Sequence, residues 1–197
     1  MDSEIEKWIK TNYPQLLGNP VLAKRIYELK VLNKGTISDI LTPKAEMKRI
    51  ADVDGNNMYT IYFTVGGLVR DVVRKKDDRE IRVIDVWGGD DSGEAVLTFF
   101  LDPVDYPLAN NILNAKQLIA IVNLRESKFG RTMVVKKWKI LNDEENKEFL
   151  ELLNMFDIAG IGGIDETRFD EFVKAHPSVE DILKYIKLNR ADGKVRW

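Results

Sequence analysis

A long β-type segment with two glycines near its middle constrains the fold more than any other feature of the sequence. Tyr59–Val73 is rich in β-branched and aromatic residues and carries Gly66-Gly67 in its interior. Glycine inside a strand pattern indicates a bulge or a sharp bend. A strand bent in this way can pair with two sets of neighbours, so the segment favours a sheet that closes on itself.

Four more strand-like segments follow, and one short helix, predicted within Pro103–Asn114, separates the third strand from the fourth. The order is strand, strand, strand, helix, strand, strand, which is that of the five-stranded Greek-key OB barrel. An open antiparallel sheet covered by helices remains as the alternative. The four later strands are predicted at Ile81–Trp87, Glu94–Leu101, Lys116–Leu124 and Arg131–Leu141.

Helical patterns flank the strands on both sides, so we expect an α+β protein in three parts. These are an N-terminal helical region at residues 1–57, an OB-fold domain at residues 58–141 and a C-terminal helical module at residues 142–197. The turn residues 54–57 mark the first boundary. The predicted flanking helices are residues 3–10, 20–33, Lys44–Val53, Asp143–Asp157, Glu166–His176 and Val179–Asn189.

The composition excludes several classes of protein. The chain has no cysteine, so disulfides and Cys-based zinc sites are excluded, and the single His176 cannot supply an all-His metal site. No apolar run approaches the roughly 18 residues of a membrane span. Met1–Lys10 lacks the apolar stretch of a signal peptide, so we expect a cytoplasmic location. Without a Walker loop, a nucleophile elbow or a Cys–His pair, we expect no enzymatic activity and no cofactor.

The formal net charge of −2 is unfavourable for a nucleic-acid binder, but the charge is unevenly distributed. Residues 142–197 carry 13 acidic against 8 basic residues, whereas residues 59–141 carry 11 acidic against 13 basic ones. The acidic C-terminal part therefore masks a mildly basic middle. Any nucleic-acid binding would have to rely on local cation clusters and on stacking.

The turn between the second and third strands carries a resemblance. Asp90-Asp91-Ser92-Gly93, followed by the strand 94–100, resembles the Asp-x-Thr/Ser-Gly turn and next strand of replication protein A and its archaeal relatives. Residues 65–69, with their glycines, resemble the bent first strand of that family. Several of those relatives carry a zinc finger, which a chain without cysteine cannot form. The resemblance implies single-stranded DNA binding with little sequence preference, in replication, repair or recombination.

Four aromatic residues are candidate stacking platforms. By the resemblance, Phe100 matches an aromatic that ends the third strand, and Phe129 matches one in the loop between the fourth and fifth strands. Alternation supports Phe100, because it lies opposite the face of Phe99, which we assign to the core. The same alternation in the second strand leaves Trp87 on the ligand side. Trp138 fits either face of the fifth strand.

Two groups of cations fall where a binding groove needs them, since OB-folds bind strands between the loops that join strands one to two and four to five. The alternative is that both are ordinary solvated loops, because nearby acidic residues dilute their charge. The first loop is predicted to hold Arg74, Lys75, Lys76 and Arg79, and the second Arg125, Lys128 and Arg131.

The C-terminal module resembles a degenerate helix-hairpin-helix element at residues 158–182. In that family a Gly-hydrophobic-Gly hairpin presents backbone amides to a phosphate. Here Gly163-Ile164-Asp165 occupies the hairpin, and Asp165 would repel a phosphate. The acidic C-terminal helices therefore favour a protein partner over DNA. Two alternatives for the whole chain stay open: an OB-fold interaction subunit of a nucleic-acid-processing complex with weak or no direct DNA binding, and RNA binding.

Overall fold

The computed structural model describes residues 2–34, 50–52, 58–90, 93–127, 130–155 and 195–196. Within them the helices are α1 (Ser3–Asn12), α2 (Pro20–Lys30), α3 (Ala109–Leu113) and α4 (Asp143–Met155), with 3-10 helices at Pro14–Leu16 and Pro103–Leu108. The strands are β1 (Ile50–Asp52), β2 (Met58–Lys76), β3 (Arg79–Asp90), β4 (Gly93–Leu101), β5 (Gln117–Ser127), β6 (Gly130–Leu141) and β7 (Val195–Arg196).

Five of these strands form a closed sheet. The long β2 pairs with β5 along residues 58–64 and with β3 along residues 64–76. β3 pairs with β4, β4 runs parallel to β6, and β6 pairs with β5, which completes the ring. The register shifts between Val65 and Gly67 and again between Leu68 and Arg70, so the predicted bend of the first strand is confirmed. The predicted helix between the third and fourth strands is also confirmed.

Alternation along the strands places one apolar cluster on the inner face of this sheet. All five strands contribute to it, together with two residues of α3. The predicted orientations hold in β3 and β4, since Ile84, Val86, Leu97 and Phe99 lie in the cluster and Phe100 lies on the opposite face. The buried members are Ile61, Phe63, Val65, Ile84, Val86, Leu97, Phe99, Leu101, Ala109, Ile112, Leu118, Ala120, Val122, Met133 and Val135.

A second apolar cluster joins α1 and α2 to the outer face of the sheet. Asn19 caps α2 by accepting a hydrogen bond from the backbone N–H of Leu22, and Pro20 suits the first helical turn. The apolar sides of both helices pack around Trp87 of β3. A Cβ on Gly66 would lie 2.5 Å from two carbons of the Trp87 ring, so only glycine lets the indole lie this close to β2. The buried helical residues are Ile9, Tyr13, Leu16, Leu22, Ala23 and Ile26.

Helix α4 covers a different part of the outer face. Its first turn is fixed by a capping box, in which Asn142 and Glu145 each accept a hydrogen bond from the other's backbone N–H. The buried Tyr62 of β2 donates its hydroxyl proton to Asn146, and burial raises the pKa of that phenol. Lys139 of β6 lies 3.3 Å from Glu145. The start of α4 is therefore held against β2 and β6.

Several predicted boundaries are corrected. Ile50–Asp52, assigned to a helix at Lys44–Val53, is a short strand paired with β2 and β7, so extension of the sheet edge overrides the helical pattern. Gly88 and Gly89, predicted to lie in a turn, belong to β3, and a Cβ on Gly88 would lie 1.8 Å from the Thr64 carbonyl oxygen. The last predicted helices, Glu166–His176 and Val179–Asn189, lie outside the described residues, whereas β7 adds a strand to the expected helical module.

Among the helices that the structure describes, none combines the length and the apolar character required to cross a membrane.

Candidate nucleic-acid interface

Beyond the part that α1 and α2 cover, the outer face of β2, β3 and β4 carries exposed side chains, among them Val72 and Phe100. We call it the arm face. Two rows of cross-strand neighbours define its centre: Arg70, Asp85 and Thr98 form one, and Val72, Val83 and Phe100 the next. Its remaining members, towards the end of the β2–β3 hairpin, are Arg74, Lys76, Arg79 and Ile81.

The second row makes an apolar strip across three strands. Val83 is buried in the middle, while Val72 is 36% exposed and Phe100 is 47% exposed. An aromatic ring half open to solvent beside a valine is a surface on which a flat apolar group can stack. Phe100 is therefore exposed, as predicted. The exposed Val72 in the same row was not among the residues that the sequence analysis singled out.

The first cation group lies on paired strands, which corrects its prediction as a loop. The turn between β2 and β3 is only Asp77-Asp78, whose φ angles of 52° and 62° are those of a type I′ hairpin. Lys76 is paired with Arg79 beside this turn. In the sequence the charged segment resembles a loop, because a strand exposed on both faces lacks the apolar alternation that marks a strand.

Strand pairing sorts the charges of this hairpin by face. The arm face carries Arg74, Lys76 and Arg79. On the opposite face of the hairpin, which we call the reverse face, Lys75 is paired with Glu80. Arg79 also lies 3.6 Å from Asp102, but both side chains are largely exposed, so this contact leaves the cation available. Of the acidic residues next to this cation group in the sequence, Asp77 and Asp78 lie at the turn and Glu80 lies on the reverse face. The prediction of Lys75 as a groove residue does not fit this pairing.

An ion pair stabilises the reverse face. Arg82 donates from Nε and Nη2 to the two carboxylate oxygens of Asp71, at 2.8 and 2.7 Å. These hydrogen bonds hold the pKa of Asp71 below its ordinary value of 3.8. Arg82 is therefore held by an ion pair on the reverse face of the hairpin. Arg70, in contrast, is held by an ion pair on the arm face.

Asp85 fixes Arg70 on the arm face. Nε and Nη2 of Arg70 both lie 2.8 Å from one carboxylate oxygen of Asp85. Thr98 donates its hydroxyl proton to the other oxygen at 2.6 Å. The Asp85 side chain is 10% exposed and that of Arg70 is 42% exposed. A nearly buried carboxylate thus holds a half-exposed guanidinium between the apolar strip and the part of the sheet beneath α1 and α2.

The prediction that Trp87 contacts the ligand is corrected. Its ring does lie opposite the inner core, as alternation requires, but α1 and α2 cover it and its exposed fraction is 0%. Its indole N–H donates to Glu94 at 3.3 Å, and Glu94 also accepts from Arg25 of α2. A fully buried indole offers no face to a base, so Trp87 anchors the N-terminal helices.

Trp138 lies away from the arm face. Its ring packs edge-on against the core residue Phe99, with centroids 5.4 Å apart and planes at 90°. It also lines a shallow groove with Leu108 and Asn111 at the end of the sheet near α3. The sequence left open which face of the strand Trp138 occupies. In the structure Trp138 packs against the inner core, so it is not part of the arm face.

The second cation group is described in part. Arg125 lies in β5 and Arg131 in β6, where each is paired across the hairpin, so neither backbone is in the expected loop. Their side chains lie outside the described part of the chain, as do Lys128 and Phe129. These four predictions of ligand contact stay predictions.

In the ranges that the structure describes, no group of three or more His, Asp or Glu side chains is placed to hold a metal ion. The sequence matches no protein-family model and no curated protein.

Proposed function

We propose that the closed sheet is a Greek-key OB barrel and that the chain binds single-stranded DNA through the arm face, in replication, repair or recombination. Three features support the barrel. The ring order is β2, β3, β4, β6, β5, the pair β4–β6 is parallel, and a helical segment joins β4 to β5. In an OB barrel the ligand lies across the second and third barrel strands, which are β3 and β4 here.

The observation that carries the function is the composition of the arm face. Val72 and Phe100 offer an exposed apolar strip, and Arg74, Lys76 and Arg79 continue the same face. Among the described strand residues of this face, the single carboxylate is that of Asp85, which is buried and paired with Arg70. Stacking platforms beside a cationic track are what single-strand binding requires.

A single strand fits this face better than a duplex does. Stacking on Phe100 needs a base whose flat face is free, and a duplex hides those faces between neighbouring pairs. Each stacked base contributes roughly 1–3 kcal/mol. The cations add a salt-dependent attraction for phosphates in either form. Preference for single strands therefore rests on the apolar strip, and overall affinity rests on both features.

The test is a fluorescence polarisation titration of the full chain with labelled oligo-dT, oligo-rU and a mixed-sequence duplex, each at two salt concentrations. We expect oligo-dT to bind more tightly than the duplex at both concentrations, and its affinity to fall as salt rises. Equal or tighter binding of the duplex would overturn the proposal. Tighter binding of oligo-rU would keep the face and change the ligand to RNA.

Two observations favour a second function, that of an OB-fold interaction subunit. The net charge of −2 is unfavourable for a nucleic-acid binder, and α1 and α2 occupy part of the outer face around Trp87. If the full chain binds no single strand even at low salt, this second function takes the place of the first. The acidic C-terminal part is then the first place to look for the partner.

A further inference from the structure

We propose that Arg70 selects guanine at one position of the bound strand, on a site that is otherwise tolerant of sequence. This inference rests on the proposed single-strand binding and names a specificity-determining residue within it. Its basis is the way Asp85 holds the guanidinium beside the apolar strip.

The ion pair leaves a defined part of Arg70 available. Asp85 takes the side of the guanidinium formed by Nε and Nη2. Of the described residues, none accepts a hydrogen bond from Nη1. The end of the guanidinium, with one N–H on each terminal nitrogen, therefore stays open as a two-donor fork. Because Asp85 is also held by Thr98, the fork is oriented before any ligand binds.

The apolar strip beside Arg70 determines which part of the ligand lies near the fork. The guanidinium is held over β3 in the row of Asp85, while Phe100 lies one strand away, about 4.8 Å across, and one row away, about 7 Å along the sheet. A purine stacked on Phe100 is large enough to place an edge near the fork. The cations that suit phosphates, Arg74, Lys76 and Arg79, lie further towards the hairpin turn. The fork thus faces a base edge, whereas the phosphates follow the outer cations.

On the base edge that faces the major groove in a duplex, guanine matches the fork best among the four bases. Its O6 and N7 are adjacent acceptors, and a bidentate contact from arginine to this pair is the commonest specific arginine contact with a base. Adenine presents an acceptor beside a donor, cytosine a donor, and thymine a single acceptor. In a single strand this edge is free for recognition even while the base is stacked.

The test uses labelled oligo-dT in which one residue at a time is replaced by dG, titrated against the full chain. We expect one position at which dG tightens binding by about 5- to 150-fold, the range for one good bidentate contact. 7-deazaguanine, which lacks the N7 acceptor, should lose most of this advantage at the same position.

Variants separate recognition from charge. Arg70→Lys keeps the charge and loses the fork, so the dG advantage should vanish while oligo-dT affinity stays within about threefold. Asp85→Asn keeps the shape but weakens the hold on Arg70, so the ratio of dG to dT affinity should fall more than oligo-dT affinity does. Arg74→Lys, on the same face of the same strand, is the matched control and should leave the ratio unchanged. Melting temperatures confirm that each variant is folded.

Two outcomes would overturn the inference. Normal binding of oligo-dT without a dG advantage at any position would refute it and leave the proposed function standing. An Arg70→Lys variant that weakens dT and dG strands equally would identify Arg70 as a phosphate contact. Failure of the full chain to bind any single strand would instead refute the proposed function, and this inference with it.

Discussion

Nη1 of Arg25 lies 2.7 Å from both carboxylate oxygens of Glu94, and this ion pair joins α2 to the first residues of β4. Glu94 is buried and also accepts the indole N–H of Trp87. The apolar packing around Trp87 and the polar contacts at Glu94 therefore act together. They keep the N-terminal helices over one end of the outer face, beside the arm face.

Arg25→Met should destabilise the protein because it leaves the Glu94 carboxylate buried with a weaker set of partners. Loss of one member of a fully buried pair costs roughly 3–5 kcal/mol. The Arg25 side chain is 29% exposed, so we expect a smaller loss of about 2 kcal/mol. Adding Glu94→Gln should recover much of it, since the second change removes the buried charge. Denaturant unfolding measures both, and equal losses in the single and double variants would contradict the role of the charge.

Phe99 and Phe100 are adjacent in the chain, yet their replacement should have opposite consequences. Phe99 is buried in the inner core, so Phe99→Ala should lower the free energy of unfolding by roughly 3–5 kcal/mol. Phe100 is half-exposed on the arm face, so Phe100→Ala should cost much less stability than Phe99→Ala. It should weaken oligo-dT binding by about 5- to 150-fold, which corresponds to one lost stacking platform. Melting and titration separate the two effects, and a Phe100→Ala protein with unaltered affinity would remove the arm face from the binding site.

Much of this arrangement follows from the sequence alone, because strand alternation is a local property. The bend at Gly66, the order of the strands and the opposite orientations of Phe99 and Phe100 all follow from residue type and spacing. The burial of Trp87 does not. Alternation places its ring on the outer face, but only the docking of two distant helices decides whether that face is open.

The β2–β3 hairpin was unpredictable for a different reason. Its strands continue beyond the inner core, so charged residues occur on both faces and the pattern resembles a solvated loop. The position of Lys75 opposite Glu80 then depends on the register, and the register follows from a turn of only two residues at Asp77-Asp78. The short strand Ile50–Asp52 likewise depends on its partners rather than on its own composition.

The ion pair between Asp71 and Arg82 should make stability depend on acid pH. Because the folded protein lowers the pKa of Asp71 below 3.8, its contribution is present above that value and is lost as pH falls through the folded pKa. Asp71→Asn should therefore cost up to about 1 kcal/mol near pH 7, and the difference from the original protein should shrink below about pH 4. Asp102→Asn is the control, since its exposed contact with Arg79 is 3.6 Å long and should contribute little. Thermal melting between pH 7 and pH 3 measures the stability difference between the variant and the original protein. A difference that grows towards pH 3 would contradict the expected direction of the pH dependence.

Lys75 and Lys76 provide a test of the arm face in which the two variants change the net charge by the same amount. Both side chains are exposed and adjacent in sequence, but pairing places Lys76 on the arm face and Lys75 on the reverse face opposite Glu80. Lys75→Glu and Lys76→Glu change the net charge equally, so they alter long-range attraction for a polyanion by similar amounts. Only Lys76→Glu should also remove a phosphate contact.

We expect Lys76→Glu to weaken oligo-dT binding on the order of tenfold at low salt and to reduce the slope of log affinity against log salt by about one unit. Lys75→Glu should have a clearly smaller effect on both quantities. Titrations at three or more salt concentrations measure the two slopes. Equal effects of the two variants would mean that the strand follows the edge of the hairpin rather than one of its faces.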